Sequence, residues 1–233
     1  MKVLKLKVYQ QFANYRKPLS YSFIDTFPLP TYSNIRGWIH RILQAQEYIP
    51  LSISIQGTYE SIVYDLQTFY KFDRPRPEKK DLIFLPEYKK TIVKSPFYVA
   101  NLQNVSLILH INMEYSLLEK IKTMLLDTFP SIGRHEDMAR IDKIDFVEVK
   151  RKDIGIDFYK IKYPIYLKKE TADKYNLIGI NFKIPFKYRI EENLRYFEKI
   201  DVVYIEEGTL FGEVILDSEG DLVELVGDFP GES

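Results

Sequence analysis

The chain opens on alternation. Between Lys2 and Tyr9, Leu4, Leu6 and Val8 fall on one face and Lys5 and Lys7 on the other, which is the two-residue period of a strand. The period then changes. Ile35, Trp38, Ile39, Ile42 and Leu43 recur at the spacing of one helical stripe, so a helix is predicted over Ser33 to Gln46, with Asn34, Arg41 and Gln44 on its opposite face. Leu51, Ile53 and Ile55 alternate with polar residues in a short strand, and Gly57 separates it from an extended run over Tyr59 to Phe72. Val105, Leu107, Leu109 and Ile111 predict another strand. Leu117, Leu118, Ile121, Met124 and Leu125 mark a second helix ending near Pro130, and Ile141 to Val149 closes the series. The order is β-α-β-β-α-β with one extra strand, a ferredoxin-like arrangement of the α+β class.

Two stretches depart from that order. The connection from Phe72 to Pro96 is too long for a passive turn in a compact domain, and it carries Arg74, Arg76, Lys79, Lys80, Lys89, Lys90 and Lys94. It reads either as a basic insertion at about 73–96 with a surface of its own or as a simple excursion. From about Gly155 the texture becomes strands and turns: Phe158 to Leu167, Ile178 to Tyr188, Val202 to Ile205, Gly212 to Leu216 and Leu222 to Val226, punctuated by Gly208, Gly212, Gly220 and Gly227. Two domains are therefore expected, a ferredoxin-like unit over 1–153 and a smaller β-rich unit over 154–233. The final Pro230 to Ser233 is expected to fray.

Net charge is zero over the 233 residues, but it is unevenly placed. Residues 201–233 hold 10 acids and no Lys or Arg, so the first 200 residues carry a surplus of ten positive charges. A basic body suits a polyanion, while the acidic end shields it, docks on a basic partner or forms a solvated sheet face. The absence of cysteine excludes disulfides and thiolate metal sites. The acids are scattered, no His-x-x-x-His pair is present, and neither a Walker loop nor G-x-G-x-x-G occurs, so no cofactor or metal is expected. No apolar run of about 18 residues is present, which points to a cytoplasmic protein without a membrane partner.

The most informative chemistry lies at Phe12 to Leu43. A polar and aromatic loop carrying Tyr15, Arg16, Lys17, Ser20, Tyr21 and Ser22 passes Pro28 and Pro30 and delivers the chain onto a helix expected to be capped at Ser33. Backbone N–H groups and cations so placed bind phosphate, and Tyr15 and Tyr21 offer ring faces to unpaired bases. Gly37 sits inside the helix, at a cost of about 1 kcal/mol relative to Ala. It either lets a neighbouring element pack or admits a ligand.

The run Ala13-Asn14-Tyr15-Arg16-Lys17-Pro18, then Thr26-Phe27-Pro28-Leu29-Pro30 and Ser33-Asn34-Ile35-Arg36-Gly37, resembles the N-terminal signature of the Cas-five family of CRISPR-associated RAMP proteins. A second block, Pro130-Ser131-Ile132-Gly133-Arg134-His135-Glu136-Asp137, is similar to that family's loop of glycine, two basic residues and two acids, with His135 where a second arginine is commoner. The resemblance covers most of the N-terminal two-thirds. It implies an RRM-like (RAMP) fold with the insertion as a thumb along guide RNA, and an antiviral role in a type I surveillance (Cascade) complex. There the protein would hold the 5′ handle of the crRNA and touch the backbone and large subunits, meeting target DNA only indirectly.

The RNA-binding candidates are Tyr15, Arg16, Lys17, Ser20, Tyr21, Ser33, Asn34, Arg36, Arg74, Arg76, Gly133, Arg134 and His135. Arg134 either grips phosphate or forms a loop-stabilising ion pair, with Glu136 and Asp137 orienting it. Some members of the resembled family cleave precursor crRNA without metal, so an endoribonuclease is the rival reading. Of His40, His110 and His135, the first two read as structural, and His135 is the one candidate for such catalysis.

Overall fold

A computed structural model describes residues 1–18, 23–79, 81–126, 128, 130–192 and 194–229. In chain order it forms β1 (Lys2–Ala13), β2 (Phe23–Ile24), α1 (Tyr32–Ile42), β3 (Ser52–Thr58), β4 (Ser61–Asp73), β5 (Ile83–Leu85), β6 (Lys90–Asn112) and α2 (Tyr115–Leu126). These are followed by β7 (Arg140–Lys160), β8 (Ile165–Lys168), α3 (Lys169–Lys174), β9 (Ile180–Glu191), β10 (Leu194–Ile205), β11 (Thr209–Asp217) and β12 (Val226–Gly227). The strands make a sheet in the order β11-β7-β1-β6-β3-β8-β10-β9. It is antiparallel except where β2 joins β6.

The alternation in β1 does what its period requires. Leu4, Leu6 and Val8 are buried with Ile35, Trp38 and Ile39 of α1 and Leu118 and Ile121 of α2, so both helices cover one sheet face. The opposite face is not left to solvent. Val3 packs with Val147, Val149 and Val223, and Lys5 is only 1% exposed, because the segment after β11 folds back across β1. Gln56 donates to the Leu222 carbonyl at 2.9 Å and the backbone N–H of Glu224 donates to Ser54 Oγ at 3.1 Å, which fastens that segment to β3.

The helix begins one residue before the expected Ser33. Thr31 is its cap: Thr31 Oγ1 accepts from the Asn34 N–H at 3.3 Å and Asn34 Oδ1 accepts from the Thr31 N–H at 3.0 Å, a reciprocal capping box. α1 stops at Ile42 instead of reaching Gln46, since Leu43 closes it and Gln44 turns to φ 52°.

The stretch expected as a basic insertion at about 73–96 is partly strand, holding the end of β4, β5 and the start of β6. β4 and β6 pair from Ser61↔Gln103 to Asp73↔Thr91, and β5 returns against β6 with Ile83 opposite Ile92, giving a long projecting hairpin. Its Tyr, Phe, Val, Ile and Thr content favours this extended state. The expected boundary at 153/154 falls inside β7, which pairs with β1 upstream and with β11 downstream. The sheet also continues from β3 to β8, and Tyr166, Ile184, Val202 and Tyr204 share the main core with Leu4 and Ile35. Among the described residues, no helix is long and apolar enough to cross a membrane.

Candidate nucleic-acid interface

Three segments far apart in sequence meet around one carboxylate, which itself holds two of them. Asp137, 1% exposed, accepts the Asn14 N–H at 3.0 Å and the Arg134 N–H at 2.8 Å through Oδ2. The Arg134 guanidinium closes on the same carboxylate, with Nη2 2.7 Å from Oδ1 and Nε 3.1 Å from Oδ2. Gln10 of β1 donates to the carbonyls of Ile132 (2.9 Å) and Asp137 (3.0 Å), and Asn14 donates to the Ala100 carbonyl at 2.5 Å. The front loop, the loop after α2 and the root of the β4–β6 hairpin are thereby locked together. Gly133 is required at the centre: its φ is +107°, and a Cβ there would stand 2.7 Å from Asp137 Oδ2 and 3.1 Å from the Asn14 carbonyl oxygen.

This junction leaves Arg134 partly available. Its side chain is 21% exposed, Nη2 also reaches Asn101 Oδ1 at 2.9 Å, and Nε lies 3.3 Å from Glu136. Nη1 has no partner among the described residues, so two guanidinium donors remain for an incoming oxyanion. The ion-pair and phosphate readings of Arg134 are therefore compatible: one edge of the fork is held by Asp137 and the other is open. His135 is exposed beside it.

The other candidates divide. Arg16 is exposed next to its backbone bridge with Thr26, with no side-chain partner among the described residues. Lys17 pairs with Asp25 at 2.7 Å and lies 5.9 Å from the Phe27 ring centroid and 5.8 Å from that of Phe182. Tyr15 requires a correction, because it is fully buried with its hydroxyl donating to Gln10 at 2.7 Å, and its ring cannot receive a base. Arg36 is likewise buried, held by Asp228 at 3.2 Å, the Leu51 carbonyl at 3.1 Å and Tyr48 at 2.7 Å, so it joins α1 to β3 and the C-terminal segment instead of facing a ligand. Ser33 contacts the Thr31 hydroxyl at 3.0 Å, and Asn34 serves the cap. On the hairpin, Arg74 is exposed whereas Arg76 pairs with Asp73 at 2.6 Å. Ser20 and Tyr21, like Lys80 and Pro230 to Ser233, lie outside the described residues.

One surface escaped the sequence reading. Tyr64, Leu66, Tyr70 and Phe72 alternate along β4, their partners across β6 include Tyr98 and Lys94, and Phe23 of β2 stands opposite Tyr98. All but Phe23 of these aromatic and aliphatic side chains are more than half exposed, the Phe23 and Tyr64 rings are 5.7 Å apart, and Lys94 lies 5.5 Å from the Tyr70 ring centroid. Apolar residues at every second position of an expected extended run were the available signal, but the sequence does not tell an exposed face from a buried one.

Two histidines are occupied. His40 accepts the Ile49 N–H through Nε2 at 2.9 Å, which leaves Nδ1–H to donate to the Arg36 carbonyl at 2.8 Å, and burial lowers its pKa. His110, fully buried, meets Asp217 at 2.9 Å. Burial lowers its pKa despite that carboxylate, so it stays neutral and donates.

The acids that look scattered in sequence also converge. Asp217, Glu219 and Asp221 place carboxylate oxygens within 4.8 Å of one another, and the Lys5 ammonium sits among them at 2.5, 2.8 and 2.6 Å. Burial alone would lower the lysine's pKa, but the three hydrogen-bonded carboxylates outweigh it and raise it. Burial would raise Asp217, yet His110 and Lys5 hold it well below the carboxylate range, and Lys143 and Lys5 pull Glu219 down to about 2.

A mainly antiparallel sheet with few helices has counterparts among solved structures of CRISPR proteins. A chain from a "CRISPR RNA-guided surveillance complex" superposes with a TM-score of 0.53 at 13% identity, covering 88% of this chain and 90% of that one. A CRISPR protein from Archaeoglobus fulgidus gives 0.46 at 12% identity over 99% and 100% of the two chains. A chain of the Type III-B Cmr-beta complex bound to cognate target RNA and AMPPnP gives 0.47 at 13% identity over 91% and 86%. Residues 3–174 match the family described as CRISPR-associated protein (Cas_Cas5), and the chain belongs to that family. No curated protein matches it.

Proposed function

We propose that this protein is a non-catalytic RNA-binding subunit of a type I CRISPR surveillance complex that holds the 5′ handle of the crRNA. The observation that carries the reading is the Asp137 junction, which fixes the front loop and the half-open guanidinium of Arg134 at the root of a hairpin whose aromatic face is exposed. Arg134 Nη1 and Arg16 supply phosphate contacts, and Phe23, Tyr64 and Tyr98 supply stacking surfaces worth about 1–3 kcal/mol per base. The strand order β7-β1-β6-β3, with α1 between β1 and β3 and α2 between β6 and β7, supports a ferredoxin-like core, and the hairpin with Arg74 at its tip suits a thumb along the adjoining RNA backbone. Membership of the family supports contacts with neighbouring subunits of a CRISPR effector complex.

Binding of handle-containing RNA, measured by fluorescence anisotropy across a salt series, tests this. Tight binding that weakens with salt and falls for a scrambled handle is expected, and each lost phosphate contact should reduce the log–log salt slope by about one. Equal affinity for handle and scrambled handle would remove the specific part of the reading. The exposed imidazole of His135 beside Arg134 keeps a metal-independent endoribonuclease as the second reading. Repeat RNA incubated with the protein in EDTA separates the two: a unique cut lost in His135→Ala favours cleavage, and intact RNA favours the binder.

A further inference from the structure

The projecting hairpin has a free edge. Among the described residues β4 pairs with β6 alone, so the backbone N–H and C=O groups along its other side have no strand to meet. β4 spans 13 residues, and Ile62, Val63, Tyr64, Leu66, Tyr70 and Phe72 are exposed along it. An open apolar edge of that length is a template for another strand.

The two ends of the main sheet are protected where β4 is not. β9, at one end, holds Pro185 together with Lys183, Lys187 and Arg189. β11, at the other, breaks its register between Phe211 and Glu213, around Gly212 at φ 67°. β4 has no proline, no glycine and a single lysine, and it pairs with β6 without a register shift.

We propose that this edge pairs with the β4 edge of a second copy of this chain, antiparallel about a two-fold axis at Thr68. The register follows from the charges. Centred on Thr68, Asp65 meets Lys71 of the second copy, Leu66 meets Tyr70 and Tyr64 meets Phe72, and symmetry makes each pair twice. Centred on Gln67, the same ladder would set Lys71 against Val63 and Asp65 against Phe69, and centred on Phe69 it would set Asp65 against Asp73. Both charges are available. Among the described residues no cation pairs with Asp65, which accepts from Gln67 at 2.8 Å, and no carboxylate pairs with Lys71, whose ammonium lies 3.9 Å from the Phe97 ring centroid. A strand fits this edge better than nucleic acid, because β4 carries two acids against one lysine. The ladder uses the edge and leaves the faces of the hairpin open.

Sedimentation velocity of the whole protein over a concentration series, without RNA, should show a monomer–dimer equilibrium. Asp65→Lys and Lys71→Glu are both surface changes, and each turns two attractive pairs into two repulsive ones, so each should raise the dimer dissociation constant at least about tenfold. An equimolar mixture of the two variants should dimerise again, since each lysine of one then faces an acid of the other, which misfolded chains could not achieve. The chain has no cysteine, so Thr68→Cys places one thiol at the axis, and mild oxidation should link two copies there, whereas Leu66→Cys, opposite Tyr70, should stay unlinked. The proposal is overturned if the wild type or the mixture stays monomeric, if either charge variant alone dimerises like the wild type, or if Leu66→Cys links as readily as Thr68→Cys. It is also overturned if the wild type is monomeric and Asp65→Lys or Lys71→Glu instead loses handle RNA, because the edge would then belong to nucleic acid. Equal binding of handle and scrambled RNA by the wild type would leave these results unchanged, so the two readings fail separately.

Discussion

Lys5 and Arg134 are both cations held by carboxylates, and the difference between them separates architecture from function. Lys5 is 1% exposed and meets three carboxylates, two of them buried, and Asp217 is further engaged by His110 and by the backbone N–H groups of Glu219 and Asp221. Every donor of that ammonium is spent inside the molecule. Arg134 commits one edge of its fork to Asp137 and Asn101 and keeps Nη1 at the surface. A closed cage ties the acidic C-terminal segment to the central strand, while a half-open clamp positions a charge for something outside. The acidic end, which in sequence looks like a shield or a docking tail, is to this extent an internal counter-ion.

Lys5→Met separates the two sites most sharply. It leaves Asp217 buried without its cation and Asp221 with Lys162 alone, at 3.4 Å, and a loss of about 3–5 kcal/mol is expected in urea unfolding. Arg134→Ala should cost about 1–2 kcal/mol of stability, because Asp137 keeps two backbone donors, but should weaken handle RNA binding about 10- to 100-fold. If Arg134→Ala destabilised as much as Lys5→Met while RNA binding held, both sites would be structural.

Acid should act on the cage through its depressed carboxylates. Asp217 and Glu219 titrate below their ordinary values when folded, so their contribution is present above about pH 4.5 and is lost as pH falls, for Glu219 towards its folded value of about 2 and for Asp217 lower still. The lowered pKa of His110 acts in the same sense, beginning below its ordinary 6.5. Lys5, raised when folded, loses its contribution only as pH rises beyond its ordinary 10.5. The urea midpoint of the wild type should therefore fall between pH 5 and pH 2, within about the window these values set, and that of Lys5→Met should be flatter. The smallest expected effect lies outside both sites: Thr31→Ala removes the cap of α1 and should cost about 1 kcal/mol, with RNA affinity unchanged.

Alternation and helical periodicity were enough to read β1, α1, β3, the inner half of β6, α2 and the first half of β7, because local period follows from backbone geometry. The two blocks around Asn14 and Gly133 were legible as belonging together, and the structure joins them through Asp137. That β7 runs on past 153/154 to pair with β11 was not legible, since turn-rich texture does not tell whether strands extend an existing sheet. Short-range pattern also could not tell that Tyr15 and Arg36 are buried while Tyr64 and Tyr98 are exposed, as identical residue types serve either environment. What the sequence determined by itself was the order of elements and the residues that hold charge. Which charges are spent within the molecule and which are left for a ligand was decided only by tertiary structure, because Lys5 meets Asp217 and Asn14 meets Asp137 across more than a hundred residues of chain. A contact between such distant positions leaves no trace in local spacing.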